Sequence, residues 1–181
     1  MRELAIDKHS DKIEIAWNLL RRGELNKAEV IYRQLVSEKT NNHIAYGNLA
    51  ALVGMNGNQD EMIHLLKKAL EINPDYPEAN NNLGTTFFQQ GDLKAAITHY
   101  QKALGLKPEY PDALNNLGMA LQEKGDINES ILLYKKALKL NPNFPEAKWN
   151  LSHVQLLTLD YISGWRNYES RWKKCDPPLL H

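Results

Sequence analysis

Residues 77–110 read PEANNNLGTTFFQQGDLKAAITHYQKALGLKPEY, and their spacing decides the fold. Pro77 presets φ and lacks an N–H, which suits the first position of a helix. Leu83, Gly84, Phe87 and Phe88 follow at helical spacing. Gly91 ends the run as a left-handed cap, and Asp92 offers its carboxylate to the open N–H groups of a second helix. Leu93, Ala96, Ile97, Tyr100, Ala103 and Leu104 form an apolar stripe with steps of three and four, and Pro108 stops it. The stretch therefore predicts a helical hairpin with a very short turn. Gly84 and Ala96 let its two helices approach closely. Tyr100 and Ala103 are placed to pack on the first helix of the following unit.

The pattern recurs along the chain. Gly23, Gly57, Gly91 and Gly125 are 34 residues apart, as are Asn48, Asn82, Asn116 and Asn150, and Leu49, Leu83, Leu117 and Leu151. Pro74, Pro108 and Pro142 keep the same step. A fixed period of this size means a stack of one small unit, because no single hairpin buries both its faces. The units run 9–42, 43–76, 77–110, 111–144 and 145–174, the last divergent and capping. Residues 1–8 form an N-terminal extension and 175–181 a C-terminal tail. Four positions depart from the pattern: Thr40 replaces the proline, Met62 and Ser130 the close-packing alanine, and Leu159 the turn glycine.

These residues resemble the tetratricopeptide repeat (TPR) family, in which a small residue, an aromatic, an alanine and a proline stand at these offsets. The resemblance covers about residues 9–175 and implies an all-α, right-handed superhelical solenoid of five helix-turn-helix repeats. A 35-residue RNA-reading repeat fits poorly, since the period is 34 without slippage.

Bulk composition narrows the function. Lys+Arg and Asp+Glu are both 22, giving a formal net charge of zero, which argues against nucleic acid. No apolar run approaches the length of a membrane span, so no membrane insertion is expected. The opening residues have no apolar core of signal-peptide length, and Cys175 is the single cysteine. The expected location is cytoplasmic. The six histidines show no metal-type spacing, no glycine-rich phosphate loop is present, and Cys175 has no identifiable catalytic partner. No catalytic residue, metal or cofactor is expected, and the chain is read as a non-enzyme.

The family resemblance implies that the first helix of each unit lines a concave surface. Helical geometry then groups Gly47, Asn48, Ala51 and Met55; Asn81, Asn82, Thr85, Phe88 and Gln89; Asn115, Asn116, Met119, Gln122 and Glu123; and Trp149, Asn150, His153 and Leu156. Amides donate and accept, so a row of them suits the backbone of an extended peptide. The Asn48, Asn82, Asn116, Asn150 series resembles the asparagine ladder in the repeat arm of O-linked N-acetylglucosamine transferases. The alternative for these amides is that they only stitch adjacent helices together or face water. Phe88, Met119 and Trp149 would add selectivity for apolar side chains. Lysines at 67–68, 102, 135–136 and 173–174 read as a solvated outer face with acidic neighbours such as Glu71.

Near the end, Trp165, Tyr168 and Trp172 share one helical face. They form either a built-in cap on the preceding hairpin or a homodimer surface. The string from Gly164 to Trp172 resembles the closing segment of bacterial repeat arrays that lead into a glycosyltransferase-like domain. The sequence thus predicts a protein-interaction scaffold or adaptor that binds a protein or peptide in its groove. The alternative is the substrate-recruiting arm of a glycosyltransferase, with its catalytic domain beyond His181.

Overall fold

The structure is a computed structural model that describes residues 10–169. Among these residues the chain forms ten α-helices and no strand. They are α1 (Ser10–Arg21), α2 (Leu25–Ser37), α3 (His43–Met55), α4 (Gln59–Ile72), α5 (Pro77–Gln89), α6 (Leu93–Leu106), α7 (Pro111–Lys124), α8 (Ile127–Leu140), α9 (Pro145–Leu157) and α10 (Tyr161–Glu169). The architecture is the all-α solenoid of helical hairpins that the sequence predicts. The chain divides into two compact units, one up to Leu83 and one from Gly84 onward, and the division falls inside α5. In the first unit α1 pairs with α2 and α3 with α4, and α2 also packs on α3. In the second, α7 pairs with α8 and α9 with α10, while α6 packs on α7 and α8 on α9.

One turn is used five times. Counting offsets from unit starts at 9, 43, 77, 111 and 145, the N–H at offset 16 donates to the carbonyl at offset 11 in every unit. The pairs are Glu24 to Leu19, Asn58 to Val53, Asp92 to Phe87, Asp126 to Leu121 and Asp160 to Gln155, at 2.8–3.2 Å. The bond closes only if the residue at offset 15 is left-handed, and Gly23, Gly57, Gly91 and Gly125 have φ of 76°, 80°, 80° and 95°. Leu159, at the fifth such position, adopts φ 64° as well. The turn is thus kept where its glycine is lost, with a side chain in a region that disfavours it. Asp92 caps α6 as expected, its Oδ1 accepting from the Ala95 N–H at 2.9 Å.

Close packing is also local. A Cβ on Gly84 would lie 2.6 Å from the Tyr100 ring, and one on Gly118 would lie 2.7 Å from Tyr134 Cε1. Both tyrosines are buried. The three departures inside the helical units have separate explanations. Met62 fits because Gly54 faces it, where a Cβ would lie 2.5 Å from its sulfur. Ser130 is fully buried but donates to the Ile127 carbonyl at 2.7 Å. Thr40 keeps an N–H bond to the Leu35 carbonyl that proline would forfeit, while its buried hydroxyl has no partner.

Two stability outcomes follow. Leu159→Gly should raise the urea midpoint, with a gain of about 0.5–1 kcal/mol, because left-handed strain of about 1–2 kcal/mol outweighs the added freedom of the unfolded glycine. Gly118→Val should lower stability by about 2 kcal/mol through overpacking on Tyr134, read as a drop in the thermal midpoint by circular dichroism.

Candidate functional site

Two clefts, one in each unit, lie against first helices. In the second unit Asn115, Asn116, Met119, Pro145, Glu146, Trp149 and Asn150 enclose about 590 Å³. Pro145 opens α9 and so fixes where its first turn begins beside α7. Asn150 Nδ2 donates to Asn115 Oδ1 at 2.9 Å, which ties α9 to α7 across the floor of the cleft. Asn115 Nδ2 in turn reaches Asn116 Oδ1 at 3.5 Å. Asn115 is buried, Asn116, Met119 and Asn150 are half-buried, and Trp149 is 40% exposed. Polar edges and one large apolar face therefore share a single concavity.

In the first unit Ser10, Ile13, Glu14, Trp17, Asn42, Ile44 and Asn48 enclose about 430 Å³. Asn42 also caps α3, its Oδ1 accepting from the Ile44 N–H at 3.0 Å. Asn48 Nδ2 donates to the Tyr32 hydroxyl at 2.9 Å, tying α3 to α2. Burial raises the Tyr32 pKa above its ordinary value, against the opposing pull of that bond, so the hydroxyl stays protonated.

The two clefts share five offsets. Ile13, Glu14 and Trp17 stand where Asn115, Asn116 and Met119 stand, and Ile44 and Asn48 match Glu146 and Asn150. Trp17, 51% exposed, was not among the residues singled out from sequence. Its signal was available: it lies three periods before Met119. Each cleft carries one carboxylate, Glu14 or Glu146, and no cationic side chain among its lining residues.

The remaining candidates scatter. Asn81 is buried and Asn82 half-buried. Phe88 does not stand free on a groove: it packs onto the cluster of Ala96, Tyr100, Leu117 and Leu121, because offset 12 points back toward the helix pair. Thr85 and Gln122 serve buried tyrosines, at 3.3 Å from the Tyr100 hydroxyl and 2.9 Å from the Tyr134 hydroxyl. Gln89 and His153 are exposed. Lys68 pairs with Glu71 at 2.6 Å, with both side chains exposed.

At the C-terminal end the cleft and the aromatic set meet. The Tyr168 ring lies 5.5 Å from both Trp149 and Trp165, tilted by 42° to the first and edge-on at 79° to the second. Tyr168 thus caps the cleft wall, whereas Trp165 stays 54% exposed. The buried small residue on α10 is Gly164, against Leu156. Trp172 and Cys175 lie outside the described residues. Among the described residues no helix is long and apolar enough to cross a membrane, and no group of His, Cys, Asp or Glu is arranged to hold a metal.

A family described as TPR repeat matches residues 56–91 and 84–125, and one described as tetratricopeptide repeat matches 111–144. No curated protein matches. Several solved structures are similar. PilF of Pseudomonas aeruginosa has a TM-score of 0.80 at 19% identity, over 94% of this chain and 78% of that one. MamA of Desulfovibrio magneticus RS-1, from residue 41 to its end, has 0.76 at 17%, over 94% and 98%. YrrB, described as a TPR protein with an unusual peptide-binding site, has 0.67 at 19%, over 88% and 82%. At these identities the likeness concerns the fold.

The interhelical amide bond gives a direct test. Asn150→Ala leaves the buried Asn115 carbonyl without its donor and should cost about 1–2 kcal/mol in urea unfolding.

Proposed function

We propose that this chain, which is a tetratricopeptide-repeat protein, is an interaction scaffold or adaptor that holds an extended peptide or partner helix on its first-helix faces, in the cytoplasm. The observation that carries the reading is the matched pair of clefts. Each holds an asparagine at offset 6 beside an indole, which comes from α9 itself in one cleft (Trp149 with Asn150) and from the preceding first helix in the other (Trp17 with Asn48). An indole supplies apolar area at small entropic cost, and an amide pairs with peptide backbone whatever the ligand's sequence.

The amides have a structural duty as well. Asn48 and Asn150 each use one N–H to bind another helix. An amide has two N–H donors and a carbonyl, so each retains capacity for a ligand while its orientation is already fixed. The unopposed carboxylates favour a ligand with a basic residue beside its apolar anchor. Asn82 and Asn116, at the same offset, are the further rungs of this reading. The peptide-binding site described for YrrB supports the class of ligand, though not its identity.

A peptide library displayed on phage and selected on the wild-type chain would supply ligands. Trp149→Ala should weaken the selected peptides about tenfold or more, as loss of a central aromatic anchor does, with the fold unchanged by circular dichroism. Equal affinity for wild type, Trp149→Ala and Trp17→Ala would remove the proposal.

A further inference from the structure

Two faces of the array carry exposed apolar residues at offsets that are buried or half-buried where they recur inside the second unit. There each second helix presents offsets 21, 24 and 28 to the following first helix. Ile97, Tyr100 and Leu104 pack with Leu117 and Leu121; Ile131, Tyr134 and Leu138 pack with Leu151 and Val154. The receiving residue at offset 7 is in both cases a leucine with 5% exposure or less. On α10 the presenting offset 21 holds Trp165, and Tyr161 at offset 17 extends the same face; both are more than half exposed. On α1 the receiving offset 7 holds Ile15, 53% exposed. Among the described residues no helix follows α10 and none precedes α1.

From these matched halves we infer that copies of this chain associate head to tail, α10 of one copy packing on α1 of the next as α8 packs on α9. A second copy is the occupant because the repeat itself made the two faces complementary. An exposed tryptophan stands at the first presenting offset with the exposed Tyr161 beside it, and an exposed aliphatic residue stands at the receiving offset. Pairing of α10 with α10 would set two presenting faces together, an arrangement found at no hairpin junction of either unit among the described residues. The contact is heterologous, so each copy in a chain of copies keeps one open face of each kind. Asn18 occupies offset 10, where Ala120 and Val154 are buried, so this junction is more polar than the internal ones and the association reversible.

Sedimentation velocity of the full chain over a concentration series tests this. The wild type should gain mass with concentration and pass beyond a dimer. Ile15→Glu and Trp165→Glu each place a charge in the junction and should each weaken association about tenfold or more. Both residues are exposed within one copy, so far-UV circular dichroism should not change. The decisive sample is an equimolar mixture of the two variants. The first keeps an intact α10 and the second an intact α1, so the mixture should form a dimer that grows no further. A wild type that stays monomeric at every concentration overturns the inference. So does a mixture that stays monomeric, or self-association that Ile15→Glu leaves intact, which would assign the contact to α10 against itself.

Discussion

The contact on which the second unit depends is the wedge that each second helix drives into its neighbours. Tyr100 and Tyr134 lie so close to Gly84 and Gly118 that no Cβ fits between. Their other ring edges join the residues packed under the next first helix. A buried tyrosine removes about 150–250 Å² from water, and its hydroxyl needs a partner. Thr85 and Gln122 supply those partners from the first helix of the same hairpin. The ring sets the distance and the hydroxyl sets the rotation. Both must be fixed before side chains on α7 and α9 can share a cleft.

That constraint changes how the amide row is understood. A surface amide free to rotate would have to be ordered by its ligand, at a cost in affinity. Here Asn48 is held by Tyr32 and Asn150 by Asn115, so in the proposed reading scaffold and ligand capacity reside in the same side chain. The stitching role and the recognition role, alternatives when only the sequence is considered, are compatible in a group with three hydrogen-bonding sites. Trp149 has a comparable double position. It forms the apolar wall of the cleft and is braced by Tyr168 from α10. The divergent last hairpin therefore helps hold the cleft beside it.

Departures from the repeat pattern show how far spacing carries. Leu159 breaks the glycine rule, yet the backbone bond from Asp160 to Gln155 keeps the turn and leaves the leucine at positive φ. Local backbone geometry prevails there because the exposed side chain has no packing to defend it. Met62 breaks the alanine rule, and its compensation, Gly54, is eight residues earlier, visible in the sequence only once the two are known to face each other. Trp17 was legible from its offset, but it needed the second cleft for comparison. Phe88 looked like a groove residue because its helix face was right. Its packing onto Tyr100 and Leu117 reflects a reach across to α6 and α7 that periodicity does not encode.

What the sequence determined by itself was the hairpin, its turn and the count of units. Those depend on φ at one residue, on caps within four residues and on apolar steps of three and four, all of which are local. What only the tertiary structure decided was which amides touch, which face of each indole is open and which residues enclose a cleft. Those outcomes depend on how closely and at what rotation two helices meet, and that is set by side-chain volume from several helices acting together.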